Sequence, residues 1–354
     1  MLYVASLGVV LYLLLPLLPG LERSATVLAR SSKLLLVTAL AAEIISLTCY
    51  SEVLGRSVVA VSRMRSSVQA RRRSGLGPWF VFRLAIVGLV AGRLLPGGAV
   101  LQVGVTLDEF RRRGLKTEDV GVALAVGFLL VYGALGILCA AAFVYLMGQR
   151  DLASMVAAVF GLLIILTAVV LVARGAYARS LHAELPLGEL TYLAQRLLRR
   201  SWSRKTAYEW ASRLVAALRR EINVTERVLL GRPLRSAKLA AIAYGYWLLD
   251  ALCLLLVLMA LGVGVEPGKL LVAYAVTQLV ATLPFMPLGG LGAAEGVLVY
   301  MFALLGMSPA ATTATVIAVL GYRFFNYWVP IVLAVVFYPT LRLGAKNARA
   351  RKVR

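Results

Sequence analysis

The sequence predicts an all-α polytopic membrane protein, built as an inverted-topology repeat with two broken or re-entrant helical hairpins. Three observations predict it. The composition is 61% hydrophobic and 15% charged, with a mean hydropathy of +0.85, whereas soluble domains carry about 25% charged residues. Apolar runs close to the ~20 residues that a spanning helix needs recur along the chain. Two of these runs are interrupted by helix breakers, at Pro96-Gly97-Gly98 and across Pro284 to Gly296. Broken backbone survives at membrane depth only where protein or a water-filled cavity satisfies its polar groups. Paired interruptions in two halves of a chain point to a transporter-type site near the midplane.

The apolar runs are 2–18, 34–54, 80–103, 120–147, 152–173, 239–263, 270–305 and 311–340. Run 2–18 lacks a basic leader and a small-residue cleavage site, so it reads as a retained span and not a signal peptide. Arg56, Arg63, Arg65 and Arg71-Arg72-Arg73 follow run 34–54, and Arg111-Arg112-Arg113 with Lys116 follow run 80–103. Basic loops favour the cytoplasm, and a single span between two of them would put one outside. A re-entrant hairpin over 80–107 resolves the conflict: 80–95 enters, Pro96-Gly97-Gly98 turns and 99–107 returns. The competing reading is one long tilted span with a misplaced basic loop.

Runs 120–147 and 152–173 complete a first half, 1–173. Residues 174–235 are Arg-rich. There Leu190, Leu193, Leu197 and Leu198, then Ala207, Trp210, Leu214 and Leu218, recur at helical spacing beside arginines. This predicts a basic amphipathic cytoplasmic loop on the inner leaflet. Its charge either sets topology or recognises lipid heads. The second half, 236–341, mirrors the first: 239–263 runs outward, 270–305 enters, turns at Pro287–Gly292 and returns, and 311–340 leads to a basic tail, 342–354. Two full spans meeting at the glycine-rich turn is the alternative reading of 270–305. The whole chain, 1–354, then forms one multi-pass integral domain of the cell membrane with a cytoplasmic C-terminus.

The formal net charge of +22 sits in residues that border hydrophobic spans. It therefore predicts anionic headgroups and membrane lipids as partners and argues against nucleic acid. Cys49, Cys139 and Cys253 lie inside apolar runs without CxxC spacing, and His182 is the single histidine, so no metal or other cofactor is expected. No nucleophile elbow, HExxH, P-loop or dinucleotide fingerprint occurs. The expectation is a protein that is not an enzyme and has no built-in ATP drive.

An ionisable side chain inside the membrane is a functional-site candidate by default. Glu295, in the second break, is the first of these; Asp250 and Glu43 are further intramembrane acids. Either of the latter is a proton site or the partner of an arginine. Arg93 stands just before Pro96 and, on the pseudo-twofold, faces Glu295. Arg83, about three turns away, snorkels to the surface. Gln278 and Asn326 are amides suited to interhelical hydrogen bonds. Gly97, Gly98, Gly289, Gly290 and Gly292 permit positive φ and close backbone approach. A helix beginning after Gly292 would aim its free N–H groups at an anion such as phosphate.

The segment Pro287-Leu288-Gly289-Gly290-Leu291-Gly292-Ala293-Ala294-Glu295-Gly296, followed by Leu304-Leu305-Gly306-Met307 and Gly321-Tyr322-Arg323, resembles the lysylphosphatidylglycerol synthase transmembrane-region family. That family includes the flippase domain of the multiple peptide resistance factor. Pro96-Gly97-Gly98, Arg111–Arg113 and Gly114 resemble it more loosely. Leu288 is inserted into the family's Pro-Gly-Gly turn, and Ala294 stands where many relatives carry Arg. No stretch here is polar and long enough for the family's soluble aminoacyl-transferase domain. The resemblance thus implies the translocation module: a lipid translocase passing a phosphate-bearing headgroup, of a phospholipid or a polyprenyl-linked carrier, through a polar groove. It implies Arg323 as the partner of Glu295. Arg323 and Arg93 would hold phosphate, with Asp250, Tyr327 and the turn glycines lining the path. The alternative role for the Glu295–Arg323 pair is to fix the hairpin against the last helix. The alternative function is a non-catalytic accessory or scaffold for a lipid- or glycan-modifying transferase.

Overall fold

A computed structural model describes residues 31–65, 77–94, 98–149, 233–282, 290–306 and 312–353. Expected runs 2–18 and 152–173, the amphipathic stretches of 174–235, the turn residues Pro96 and Gly97, and Gly289 lie outside the described residues. The chain divides into one compact unit of residues 1–161 and 237–354 and a second of 162–236. The helices below belong to the first, apart from the opening turn of α5.

The regular structure of the described residues is helical. Its elements are α1 (Lys33–Arg65), α2 (Pro78–Leu94), α3 (Gly98–Arg112), α4 (Thr117–Gln149), α5 (Pro233–Ala260), α6 (Pro267–Ala281), α7 (Ala293–Leu304), α8 (Thr312–Arg323), a π-turn (Phe324–Trp328) and α9 (Val329–Val353). Proline opens α2, α5 and α6, where its fixed φ suits the first helical position and its missing N–H costs nothing. Asp119 enters the first turn of α4, where a carboxylate complements the helix dipole.

Among the described residues, four stretches are long and apolar enough to cross a membrane: Lys33–Ser62, Asp119–Gly148, Leu234–Ala260 and Ala314–Leu341. They match runs 34–54, 120–147, 239–263 and 311–340. Helix α1 continues beyond residue 54 because Val58 and Val61 carry its buried stripe onward. Ile137 and Val144 on α4, and Val332, Val335 and Val336 on α9, remain exposed. An apolar outer face is what lipid, not water, tolerates.

The two interrupted runs are each a pair of helices that pack on one another, α2 with α3 and α6 with α7. Their lengths are 17 and 15 residues, then 15 and 12 residues. At 1.5 Å per residue even the longest reaches only about 26 Å, short of a hydrocarbon core of about 30 Å. Helix α3 extends to Arg112 instead of stopping at 107, because Phe110 closes the pair by an edge-on contact with Phe80 at 6.0 Å. Arg113 lies over the other partner, 3.5 Å from the Phe80 ring centre. Helix α2 also packs on α1 and α9, and α6 on α4.

The last span is not one continuous α-helix. The Val329 N–H bonds to the Phe324 carbonyl, an i→i−5 step that inserts one residue. The cause is Pro330. Proline has no N–H for the carbonyl four residues before it and its ring crowds that carbonyl. The carbonyl in question is that of Asn326, which is thereby available to another donor.

Candidate functional site

Helix α7 starts at Gly292, whose φ of 84° is a left-handed value that glycine adopts at no steric cost. Three residues on, Glu295 turns back and its Oε2 accepts the Gly292 N–H at 2.6 Å. The other oxygen, Oε1, accepts from Arg323 Nε at 2.5 Å. One carboxylate therefore caps the helix and joins α7 to the end of α8. The anion expected at this helix N-terminus is, in the first place, the protein's own. The Arg323 side chain is only 7% exposed and that of Glu295 15%. The guanidinium also lies 5.4 Å from the ring centre of Tyr327, one turn along. Arg323 Nη2 is buried and meets no acceptor. A buried guanidinium N–H without a partner is costly and is the free valence of this cluster.

Gly290 holds the approach to α7, with φ 75° and an ideal Cβ position 3.1 Å from the Ala281 Cα at the end of α6. Both strain and backbone contact oppose any side chain. Gly290→Ala is expected to lower stability by at least about 1–2 kcal/mol, read as a fall in thermal unfolding temperature in detergent. A change of the same size at Gly296, which has open space, should be tolerated far better.

A second polar cluster lies among α1, α2, α5, α6 and the π-turn. Asp250 is 1% exposed. Its Oδ1 accepts from Asn326 Nδ2 at 2.8 Å; its Oδ2 accepts from Tyr274 Oη at 2.7 Å and Gln278 Nε2 at 3.2 Å. Gln278 Nε2 also donates to Tyr322 Oη at 3.0 Å. Glu43 is likewise 1% exposed, and its Oε2 is buried without a hydrogen-bond partner. Arg93 Nη1 donates to the Asn326 carbonyl at 2.6 Å, the carbonyl that Pro330 leaves without a helical donor. The sequence reading turned Arg93 toward Glu295. In the structure it turns instead to the π-turn, where the Asn326 carbonyl anchors it and the Asn326 side chain in turn donates to Asp250. Arg83 donates to Thr340 Oγ1 at 2.9 Å and remains outside both clusters.

Of the residues read from the sequence, Glu295, Arg323, Tyr327, Gly290 and Gly292 thus come together, and Arg93 and Asp250 meet in the second group. The two groups share one helical turn. Tyr322 and Asn326 serve the Asp250 cluster, while Arg323 and Tyr327 serve Glu295. Tyr274, Tyr322 and the Asn326 carbonyl were missed as site groups. The spacing of Pro330 four residues after Asn326 was the signal for the last. No group of three or more His, Cys, Asp or Glu suited to a metal ion occurs among the described residues.

No curated protein matches this sequence. Residues 3–334, nearly the whole chain, match the family model described as the lysylphosphatidylglycerol synthase TM region; with four apolar stretches of spanning length among the described residues, the chain is an integral membrane protein that belongs to this family.

Proposed function

We propose that the protein is a non-enzymatic lipid translocase that moves a phosphate-bearing headgroup across the cell membrane while the tails stay in the bilayer. The reading rests on one observation above all: a nearly buried arginine, beside the head of a broken helix pair, whose Nη2 has no acceptor. A lipid phosphate supplies the missing acceptor and a guanidinium suits it geometrically. Glu295 holds the rest of the guanidinium in place and balances its charge. A polar route matters because a charge in hydrocarbon costs at least about 3 kcal/mol, even on the mildest scales. The two short helix pairs, read as re-entrant hairpins from opposite sides, would line that route. The membership of a family tied to lipid modification agrees with a lipid substrate. On this reading the chain is multi-pass, with its basic tail in the cytoplasm.

The test is translocation of headgroup-labelled phospholipids and a labelled polyprenyl phosphate in proteoliposomes. Wild type is expected to exceed protein-free vesicles for at least one lipid, and Glu295→Gln to lose most of that excess while remaining folded. Rates equal to protein-free vesicles across the panel would overturn the proposal. Silence together with co-purification of a lipid- or glycan-modifying transferase would favour the accessory role instead.

A further inference from the structure

The first two turns of α2 carry Trp79, Phe80 and Arg83. Trp79 and Phe80 stand about 100° apart around the helix and so meet different neighbours. Phe80 is buried against Phe110 of α3, at 6.0 Å. Trp79 stacks on Phe82 at 5.6 Å and turns to α9, edge-on to Phe337 at 5.3 Å. It is nevertheless 57% exposed. Each of the two rings carries a guanidinium. Arg83 lies 5.7 Å from the Trp79 ring centre and donates to Thr340 Oγ1 at 2.9 Å. Arg113 lies 3.5 Å from the Phe80 ring centre. The end of α3 fixes it there. Gly114, at φ 84°, donates its N–H to the Arg111 carbonyl at 2.9 Å and lets the Leu115 N–H reach the Phe110 carbonyl at 3.2 Å. This is a glycine-capped helix terminus.

These two arginines differ from their neighbours in what holds them. Arg112 takes Asp108 at 2.8 Å and stands 4.0 Å from Glu109, the acid one turn before Arg113. Arg56 takes Glu52, and Arg323 takes Glu295. Among the described residues, neither Arg83 nor Arg113 forms an ion pair. A guanidinium laid on an aromatic face is positioned while its fork of donors stays available, and that fork fits a phosphate. The surroundings select a lipid as the bearer of the phosphate. Trp79 offers an exposed ring of the kind that sits at headgroup level. On α9, the exposed Val332, Val335 and Val336 stand within about two turns of Phe337 and offer a wall for acyl chains. We propose that the start of α2, the end of α3 and Thr340 of α9 form a headgroup site for an anionic phospholipid, with Arg83 and Arg113 on the phosphate and Trp79 beside the glycerol end of the chains. The site is separate from the Glu295–Arg323 pair and does not depend on the translocase reading.

Binding is tested without transport, through the emission of Trp79. The purified full chain in detergent is titrated with phosphatidic acid, whose phosphate is uncovered, or with phosphatidylcholine. Both lipids carry bromine near the head of the chain as a contact quencher. The difference between wild type and Trp79→Phe isolates the Trp79 signal. Half-maximal quenching is expected at about tenfold less phosphatidic acid than phosphatidylcholine, from two cations close to the headgroup. Arg83→Gln and Arg113→Gln should each remove most of that preference. Arg56→Gln takes the same charge from an arginine already paired with Glu52 and should keep it. Equal quenching by the two lipids in wild type would overturn the proposal and leave Trp79 as a plain interfacial anchor. A preference that survives in both Arg83→Gln and Arg113→Gln would overturn it too, since the overall positive charge would then be the cause. Relief of the quenching by inorganic phosphate at the concentration of the lipid would do the same, because the site would then take the free anion. The wild-type comparison of the two lipids needs no arginine variant to fold.

Discussion

Arg323→Ala is expected to lower the stability of the protein by about 3 kcal/mol and to bring lipid translocation down to the protein-free rate. Removing one member of a buried pair strands the other, and such losses run to about 3–5 kcal/mol. The lower end applies because Glu295 keeps 15% side-chain exposure and still accepts the Gly292 N–H. The stability loss is read by thermal or denaturant unfolding in detergent. Adding Glu295→Gln to Arg323→Ala should recover most of it, since the stranded charge is then gone. Translocation should not recover, because on the proposed mechanism the guanidinium is the phosphate contact. Arg323→Lys should fall between: the cation is kept and the planar fork is lost. Full stability of the single Arg323→Ala variant would mean that Glu295 is solvated in the working protein. Full translocation by it would remove Arg323 from the mechanism.

Asp250→Ala should be as damaging, by a different route. Three donors on α6 and the π-turn lose their common acceptor: Tyr274 Oη, Gln278 Nε2 and Asn326 Nδ2. Each buried donor left empty costs about 1–3 kcal/mol. Rearrangement among them brings the total to the order of 4 kcal/mol, a large share of the roughly 5–15 kcal/mol that holds a typical domain together. Asp250→Asn keeps one acceptor oxygen and should cost less than half as much in the same unfolding measurement. Equal losses for the two variants would show that the cluster is held by shape and not by its hydrogen bonds.

The spans and the breaks were legible because their cause is local. Hydropathy marks α1, α4, α5 and the last span. Pro96-Gly97-Gly98 and the glycines before Glu295 mark where α2 gives way to α3 and α6 to α7. The pairing of Glu295 with Arg323 was legible for another reason: the motif that carries the family resemblance contains both. The second cluster was not legible in this way. Asp250 draws its donors from Tyr274, Gln278 and Asn326, 24 to 76 residues away in the chain, and nothing in the apolar runs around them fixes which face each helix presents. Packing against neighbours sets that rotation. Arg93 illustrates the point. Its distance along α2 follows from the sequence, but its direction follows from a carbonyl on α9's side of the molecule that a proline has set free.

The π-turn has a consequence of phase. An extra residue in a helix of 3.6 residues per turn advances everything on one side of it by about 100° relative to the other. The extra residue in Phe324–Trp328 acts like the offset between two dials on one shaft. On one dial are the Tyr322 and Arg323 settings; on the other are Pro330 and the lipid-facing valines of α9. With a regular turn in its place, the dials would lock at a different angle, and Arg323 could not point at Glu295 while Val332, Val335 and Val336 pointed at lipid. The single inserted residue is what allows one helix to serve a dry outer wall and a charged interior along the same length.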